Sequence, residues 1–217
     1  MLNLFNRIID KWLRFYRAKS FEAYTGKKAK NLSILGKVYL RNKNVIVGEN
    51  VTLYPGVMFQ GEGEIYIGNN TFLGNNTIVY SEKGYKVSIG ADCMIAAMCH
   101  IINTDHKIAS VECAMNQQGT VSENISIEDN VWLASAVTVL KGVNIKRGSV
   151  IGAKAVVNKS TEENGVYVGI PAKLSHAGVT DEYFAQMTED AMKSGNIAVN
   201  PQKTVREDIL ALYKEAL

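Results

Sequence analysis

Large apolar side chains recur at every sixth position through the middle of the chain. They stand at Val47, Leu53 and Phe59, then Ile67, Leu73 and Val79, then Ile89, Ile95 and Ile101, and finally Ile127, Leu133, Val139, Ile145, Ile151 and Val157. Four residues after most of them comes a small or β-branched residue, as at Val51, Val57, Thr71, Thr77, Cys93, Cys99, Val131, Val137, Val143, Ser149, Ala155 and Thr161; Gly63 and Lys83 fall in the same column. A period of six fits neither a helix of 3.6 residues per turn nor the plain alternation of a hairpin strand. It does fit one short strand plus one corner of a three-sided parallel coil, three such units making a turn. The inward side chains then stack at the roughly 4.8 Å separation of neighbouring strands. Corners require residues that tolerate positive φ, and Asn69-Asn70, Asn75-Asn76 and Asp129-Asn130 supply them. The pattern predicts an all-β prism of about five coils over residues 31–175.

The interruptions carry a second message. Coils starting at 47, 67, 89, 127 and 145 are separated by intervals that exceed eighteen residues by two, four, twenty and none. All three insertions leave from one corner and line one edge of the prism, where function collects on loops. The longest insertion spans 107–126.

Outside the prism the period changes. Leu2, Phe5, Ile9, Trp12 and Tyr16 follow helical spacing, so residues about 2–18 read as an amphipathic helix within an N-terminal segment 1–30. That helix packs on the prism or a neighbouring subunit, or else lies on an anionic membrane surface. Segment 176–217 is helical near 181–193 and 204–216, the latter opening on a capping box, Thr204 to Glu207.

Net charge is only +3, too little to argue for nucleic acid, but residues 1–30 hold eight Lys and Arg against Asp10 and Glu22. Three cysteines in no C-x-x-C pairing argue against a disulfide framework or a structural zinc, and no N-terminal stretch is apolar enough for a signal or a span. The expected location is the cytoplasm, with the basic helix allowing contact at the inner face of the membrane.

Of the three histidines, His176 lies past the last coil, and His100 precedes an inward slot and so faces outward. His106 stands beside Asp105 where the longest insertion begins, and a neutral imidazole there is placed to take a proton from an alcohol. Two neighbouring histidines without a third do not make a catalytic zinc site, so no metal is expected.

The repeat columns, the run from Ile101 to His106, the run from Asn130 to Ser135 and Gly169-Ile-Pro-Ala-Lys173 together resemble the hexapeptide-repeat acyltransferases, most nearly the O-acetyltransferases that modify sugars. The resemblance implies a left-handed parallel β-helix, against the usual right-handed crossover rule, and a homotrimer with sites between prisms. It implies acetyl-CoA as co-substrate, His106 as the general base and Trp132 beside the thioester. By the same resemblance, backbone around Ala134, Ser135 and Ala153 holds the pantetheine arm, Lys159 and Lys173 meet the coenzyme phosphates, and Asn76 occupies a sugar-binding corner. The chain departs from the pattern at Lys107, at Leu133-Ala134, and in lacking an arginine of the galactoside and maltose branch after His106. The expected function is therefore O-acetylation of a sugar hydroxyl of a surface polysaccharide, such as capsule or O-antigen, or of its lipid-linked precursor. The alternatives are a different acceptor (serine, a xenobiotic or an amino sugar) and a non-catalytic assembly protein.

Overall fold

The computed structural model of the chain describes residues 2–169, and side chains from Phe5 onward. The expected C-terminal helices, Lys173 and His176 lie outside the described residues. The described part falls within a compact unit that ends at Pro171.

The mid-chain is a left-handed parallel β-helix with three faces. Seven strands form the first face (Ser33–Ile34, Thr52–Leu53, Phe72–Leu73, Met94–Ile95, Trp132–Leu133, Val150–Ile151 and Val166–Tyr167). Six form the second, from Tyr39–Leu40 through Met58–Gly61, Ile78–Ser81, His100–Ile102 and Thr138–Val139 to Val156–Val157. Five form the third: Val45–Val47, Glu64–Ile67, Lys86–Ile89, Ile125–Ile127 and Asn144–Ile145. Equivalent positions are in register from coil to coil, so Leu73, Ile95, Leu133 and Ile151 form one inward column. All fifteen apolar slots read from the six-residue period are buried.

The small-residue column is buried as well, and its polar members are tied to the adjacent coil: Thr71 Oγ1 donates to the Gly90 carbonyl at 2.8 Å and Thr77 Oγ1 to that of Ala96 at 3.0 Å. Lys83 is the exception. The insertion between Ser81 and Lys86 carries it out to solvent near Glu62, and Ser81 takes the interior place, its hydroxyl donating to the Tyr85 carbonyl.

The solenoid has about seven turns, not five. Ile34 and Leu40 continue the inward columns ahead of Val47, but the step from Leu40 to Val47 is seven residues, which hides them from a strict period. Buried Asn42 accommodates the extra residue: its amide donates to the Gln60 and Gly63 carbonyls at 3.2 and 2.9 Å, and its oxygen accepts from the Asn44 N–H at 2.7 Å. At the far end Tyr167, ten residues past Val157, pairs with Ile151.

Corners behave as their composition demands. Asn50, Asn70, Asn76 and Asn130 all have φ near +56°, and Asn31, Asn50, Asn70 and Asp92 form a side-chain ladder with amide–oxygen distances of 2.9–3.0 Å. At the corner between the first and second faces the coils above Asn76 differ, because Met98, Ala136 and Lys154 take φ of 60–63° there without help from an amide side chain. A residue with a Cβ in this conformation costs about 1–2 kcal/mol, partly offset in glycine by about 0.5–1 kcal/mol of chain entropy. Ala136→Gly is therefore expected to stabilise the fold by about 0.5–1 kcal/mol in urea melts.

Helix α1, Leu2–Thr25, runs about two turns further than the sequence pattern indicated. Phe21 is the reason: it is 1% exposed and caps the open lower end of the core, its ring edge-on to buried Phe59 at 6.4 Å. Gly26, at φ +70°, then ends the helix, its N–H bonding the Glu22 carbonyl.

Cys93 and Cys99 lie in the core and donate weakly to the Glu128 and Ala134 carbonyls at 3.1 and 3.2 Å. Burial pushes both thiols up to about 11. Since the thiolate is the reactive form, a disulfide reagent should label only exposed Cys113 in the folded protein and all three cysteines in denaturant, read by intact mass.

Candidate functional site

All three insertions leave from the corner between the second and third faces, as the spacing predicted. The longest is an ordered hairpin. Thr104–His106 pairs antiparallel with Thr120–Ser122, and Met115–Gln117 adds a short 3₁₀ turn near the tip. At its root Asn103 is fully buried; its Oδ1 accepts from the Glu82 N–H at 2.8 Å and its Nδ2 donates to Ser81 Oγ at 3.3 Å. The Asn103 carbonyl accepts from the Glu123 N–H where the insertion returns. At the tip Gln118 ties the loop together, accepting from the Ser110 N–H and donating to the Ser110 and Cys113 carbonyls.

His106 is the last paired residue of this hairpin, opposite Thr120, and its side chain is exposed. It lines an open groove of about 680 Å³ together with Asp105, Lys107, Ile108, Ala109, Val121 and Lys141. The pairing continues just past it, where the Lys107 N–H bonds the Gly119 carbonyl. Lys141, at the same corner one coil above, donates to Asp105 Oδ2 at 2.6 Å and tethers the hairpin to the prism beside the imidazole. Sequence reading missed Lys141. Its signal was the corner stack itself, since Leu140-Lys141-Gly142 follows the second-face strand directly above the one that leads to His106.

One coil below, the corner presents Tyr80, whose hydroxyl donates to Glu82 Oε2 at 2.8 Å; that bond raises the phenol above its usual range. His100 faces outward from the second face between Ile78 and Thr138, half-buried, and burial lowers its imidazole from the ordinary value. A second cavity on the inserted edge, about 490 Å³, is walled by Glu62, Tyr85, Lys86 and Asn124 among others. Among the described residues there is no cluster of three or more metal-ligating side chains.

Of the other expected site residues that are described, all but Lys159 lie elsewhere on the prism. Trp132 points outward from the first face, 44% exposed, stacked in register between Met94 and Val150. Ala134, Ser135, Ala153 and Asn76 all sit at the corner between the first and second faces. The Ala134 N–H is used inside the fold, bonding the Ile151 carbonyl at 2.9 Å, and the Ser135 carbonyl accepts from the Lys154 N–H. Asn76 has φ +57° and its N–H bonds the Pro55 carbonyl, so its place in the corner satisfies a backbone requirement. Exposed Lys159 follows the last second-face strand, at the corner that carries His106. Within one chain, then, the corner that carries His106 and the first face that carries Trp132 are separated by the second face, whose strand-and-turn length is roughly 15–20 Å at about 3.3 Å per residue.

No protein-family model and no curated protein matches the sequence. Solved structures do. The N-acyltransferase AntD from Bacillus cereus, in complex with dTDP and 3-hydroxybutyryl-CoA, superposes with a TM-score of 0.59 at 17% identity, covering 73% of this chain and 89% of that one. A galactoside acetyltransferase in complex with coenzyme A superposes with a TM-score of 0.51 at 33% identity, covering 61% of this chain and 62% of the other. What this chain shares with these structures is the fold, a three-sided left-handed parallel coil with inward six-residue columns.

Proposed function

We propose that this protein is an O-acetyltransferase that moves the acetyl group of acetyl-CoA to a sugar hydroxyl of a surface polysaccharide or its precursor, with His106 as general base. The observation that carries this reading is the exposed imidazole of His106 on a hairpin rooted at Asn103 and tethered at Asp105, over an open groove at the inserted edge. The galactoside acetyltransferase likeness, at 33% identity, supports a coenzyme A thioester as the donor.

In the proposed reaction the imidazole takes the proton of the acceptor hydroxyl as its oxygen attacks the thioester carbonyl carbon. The C–S bond breaks, the acetyl ester forms, and the departing thiolate recovers the proton from the imidazolium. No side-chain nucleophile is needed, and the buried cysteines are unsuited to be one. Ile108, Ala109 and Val121 offer an apolar wall, Lys107 and Lys141 positive charge, and the Tyr80–Glu82 pair below offers hydrogen-bonding groups for acceptor hydroxyls.

Trp132 is assigned to the thioester end of the site, and Ser135 and Ala153 to the pantetheine arm; with the Ala134 N–H already bonded, Ala134 contributes a small, close surface. Lys159 and Lys173 are assigned to the coenzyme phosphates, and Asn76 to the edge of the acceptor site. The separation of His106 from Trp132 favours a homotrimer in which one subunit supplies the hairpin and its neighbour the first-face corner. Exposed Met94, Met98 and Trp132 give that corner an apolar strip suited to packing against a second copy.

A screen with isotopically labelled acetyl-CoA over free sugars, polysaccharides, lipid-linked glycans and amino acids, read by mass spectrometry, tests the assignment. Label should enter a glycan as an ester that mild alkali releases. Equally fast transfer to serine, or a label that resists alkali as an amide does, would overturn it.

A further inference from the structure

We propose that the N-terminal two thirds of helix α1 is a docking face for an anionic lipid surface. The proposal does not depend on the acyl-transfer reading. The face is defined by how the helix is seated. Arg17, Ala18, Phe21 and Thr25 turn toward the first coil, with Phe21 and Thr25 buried and the Arg17 guanidinium near the Ile34 carbonyl. At 100° per residue the stripe that contains them continues toward the N-terminus through Arg14, Lys11, Asp10 and Arg7. Phe5, Ile8, Ile9, Trp12, Phe15 and Tyr16 therefore fall on the opposite arc, away from the prism seat. Phe5, Ile8, Trp12, Phe15 and Tyr16 are 58–62% exposed and Ile9 is 38% exposed.

A free helix of this kind would bury its apolar arc against its own core, and this one does the reverse, burying a stripe that is basic further along. What covers the arc must accept aromatic side chains and also suit positive charge. Arg7, Lys11, Arg14 and Arg17 form the polar face behind it, Lys19 lies on the arc 5.8 Å from the Phe15 ring, and Asp10 is the one acid between residues 5 and 19, the pattern of a basic amphipathic helix that lies in an anionic interface. Trp12 and Tyr16 stack at 5.7 Å, forming the broad amphipathic aromatic surface that partitions into the headgroup region. The apolar row from Phe5 to Tyr16 is about 17 Å long at 1.5 Å per residue. No helix among the described residues is long and apolar enough to cross a membrane, so contact along the helix axis is the geometry the residues fit. Between residues 5 and 19 the helix carries Arg7, Lys11, Arg14, Arg17 and Lys19 against Asp10 alone, a surplus of positive charge that an anionic leaflet compensates.

The experiment is co-sedimentation of the full-length protein with vesicles of phosphatidylcholine alone and of phosphatidylcholine with about one third phosphatidylglycerol. The anionic vesicles should bind at least about tenfold better, and binding should weaken as salt is raised. Trp12→Ser with Phe15→Ser should reduce binding at least about tenfold, and Arg7→Gln, Lys11→Gln and Arg14→Gln together should remove the preference for anionic lipid. Native-state protection of Cys93 and Cys99 checks that each variant is folded, and Trp12→Phe, which keeps an aromatic ring, should retain binding. The proposal is overturned if the wild-type protein ignores anionic vesicles, as it would with the arc covered by residues 170–217. It is also overturned if binding is insensitive to salt and to the double substitution, or if the double substitution lowers the oligomeric mass in lipid-free buffer, which would assign the arc to a second copy.

Discussion

His106→Ala is expected to lower kcat for acetyl transfer by about 10²–10⁴ while leaving the melting temperature and coenzyme affinity close to those of the wild type. The ring is exposed and its hairpin is held by other groups: the strand pairing, the Asn103 root and the Asp105–Lys141 ion pair. Removing the imidazole therefore deletes a proton acceptor without removing a structural support, and the loss should fall on the chemical step. His106→Gln should behave the same way, because an amide keeps hydrogen-bonding capacity but has no useful basicity. Steady-state rates with the acceptor found by the labelling screen, paired with calorimetric titration of coenzyme A, separate the two effects. Turnover within about threefold of wild type would remove His106 from the role of general base; normal turnover with weakened coenzyme binding would place it in the donor site instead. Lys141→Met offers a contrast, since it frees Asp105 but leaves the base in place, and a partly exposed ion pair of this kind contributes only about 0.2–1 kcal/mol.

The inward columns were legible from sequence because a coil of fixed length sends every sixth side chain to the same place, and each such place excludes water from all sides. Two features escaped for the same reason. Ile34 and Leu40 precede a seven-residue step, and a strict period has no means of seeing that buried Asn42 takes up the extra residue through three hydrogen bonds. The apolar arc of helix α1 was visible as spacing, but spacing does not say which arc meets the core; the seat is set by Phe21 reaching Phe59, a contact between residues 38 positions apart. At the site, His106 stood out because it is a rare residue type at an insertion point. Its neighbour Lys141 did not, because the two are brought together only by the stacking of one coil on the next, and a lysine at a corner looks like any other solvated charge until the coil beneath it is known.

Asn103→Leu should move stability and activity together, and so separates the support of the hairpin from its chemistry. Asn103 has no exposed surface, and its side chain serves two partners in the coil below, the Glu82 N–H and Ser81 Oγ. Leucine is similar in size but fills neither role, leaving the Glu82 N–H without its acceptor at a cost of about 1–3 kcal/mol. The loss falls where the hairpin joins the prism, so amides of residues 104–122 should exchange faster than those of the first-face strands, and kcat should drop because His106 is no longer held over its groove. Asn103→Asp keeps the acceptor for Glu82 and should recover more stability than leucine does, provided the carboxylate is not repelled by the nearby Glu82 side chain; raising salt should then narrow the remaining gap. Urea denaturation, hydrogen exchange and kcat measured on the same preparations make the distinction. If Asn103→Leu lowers global stability but leaves hairpin exchange and kcat unchanged, the root holds the coil and not the base, and the ion pair at Asp105 is the support that matters.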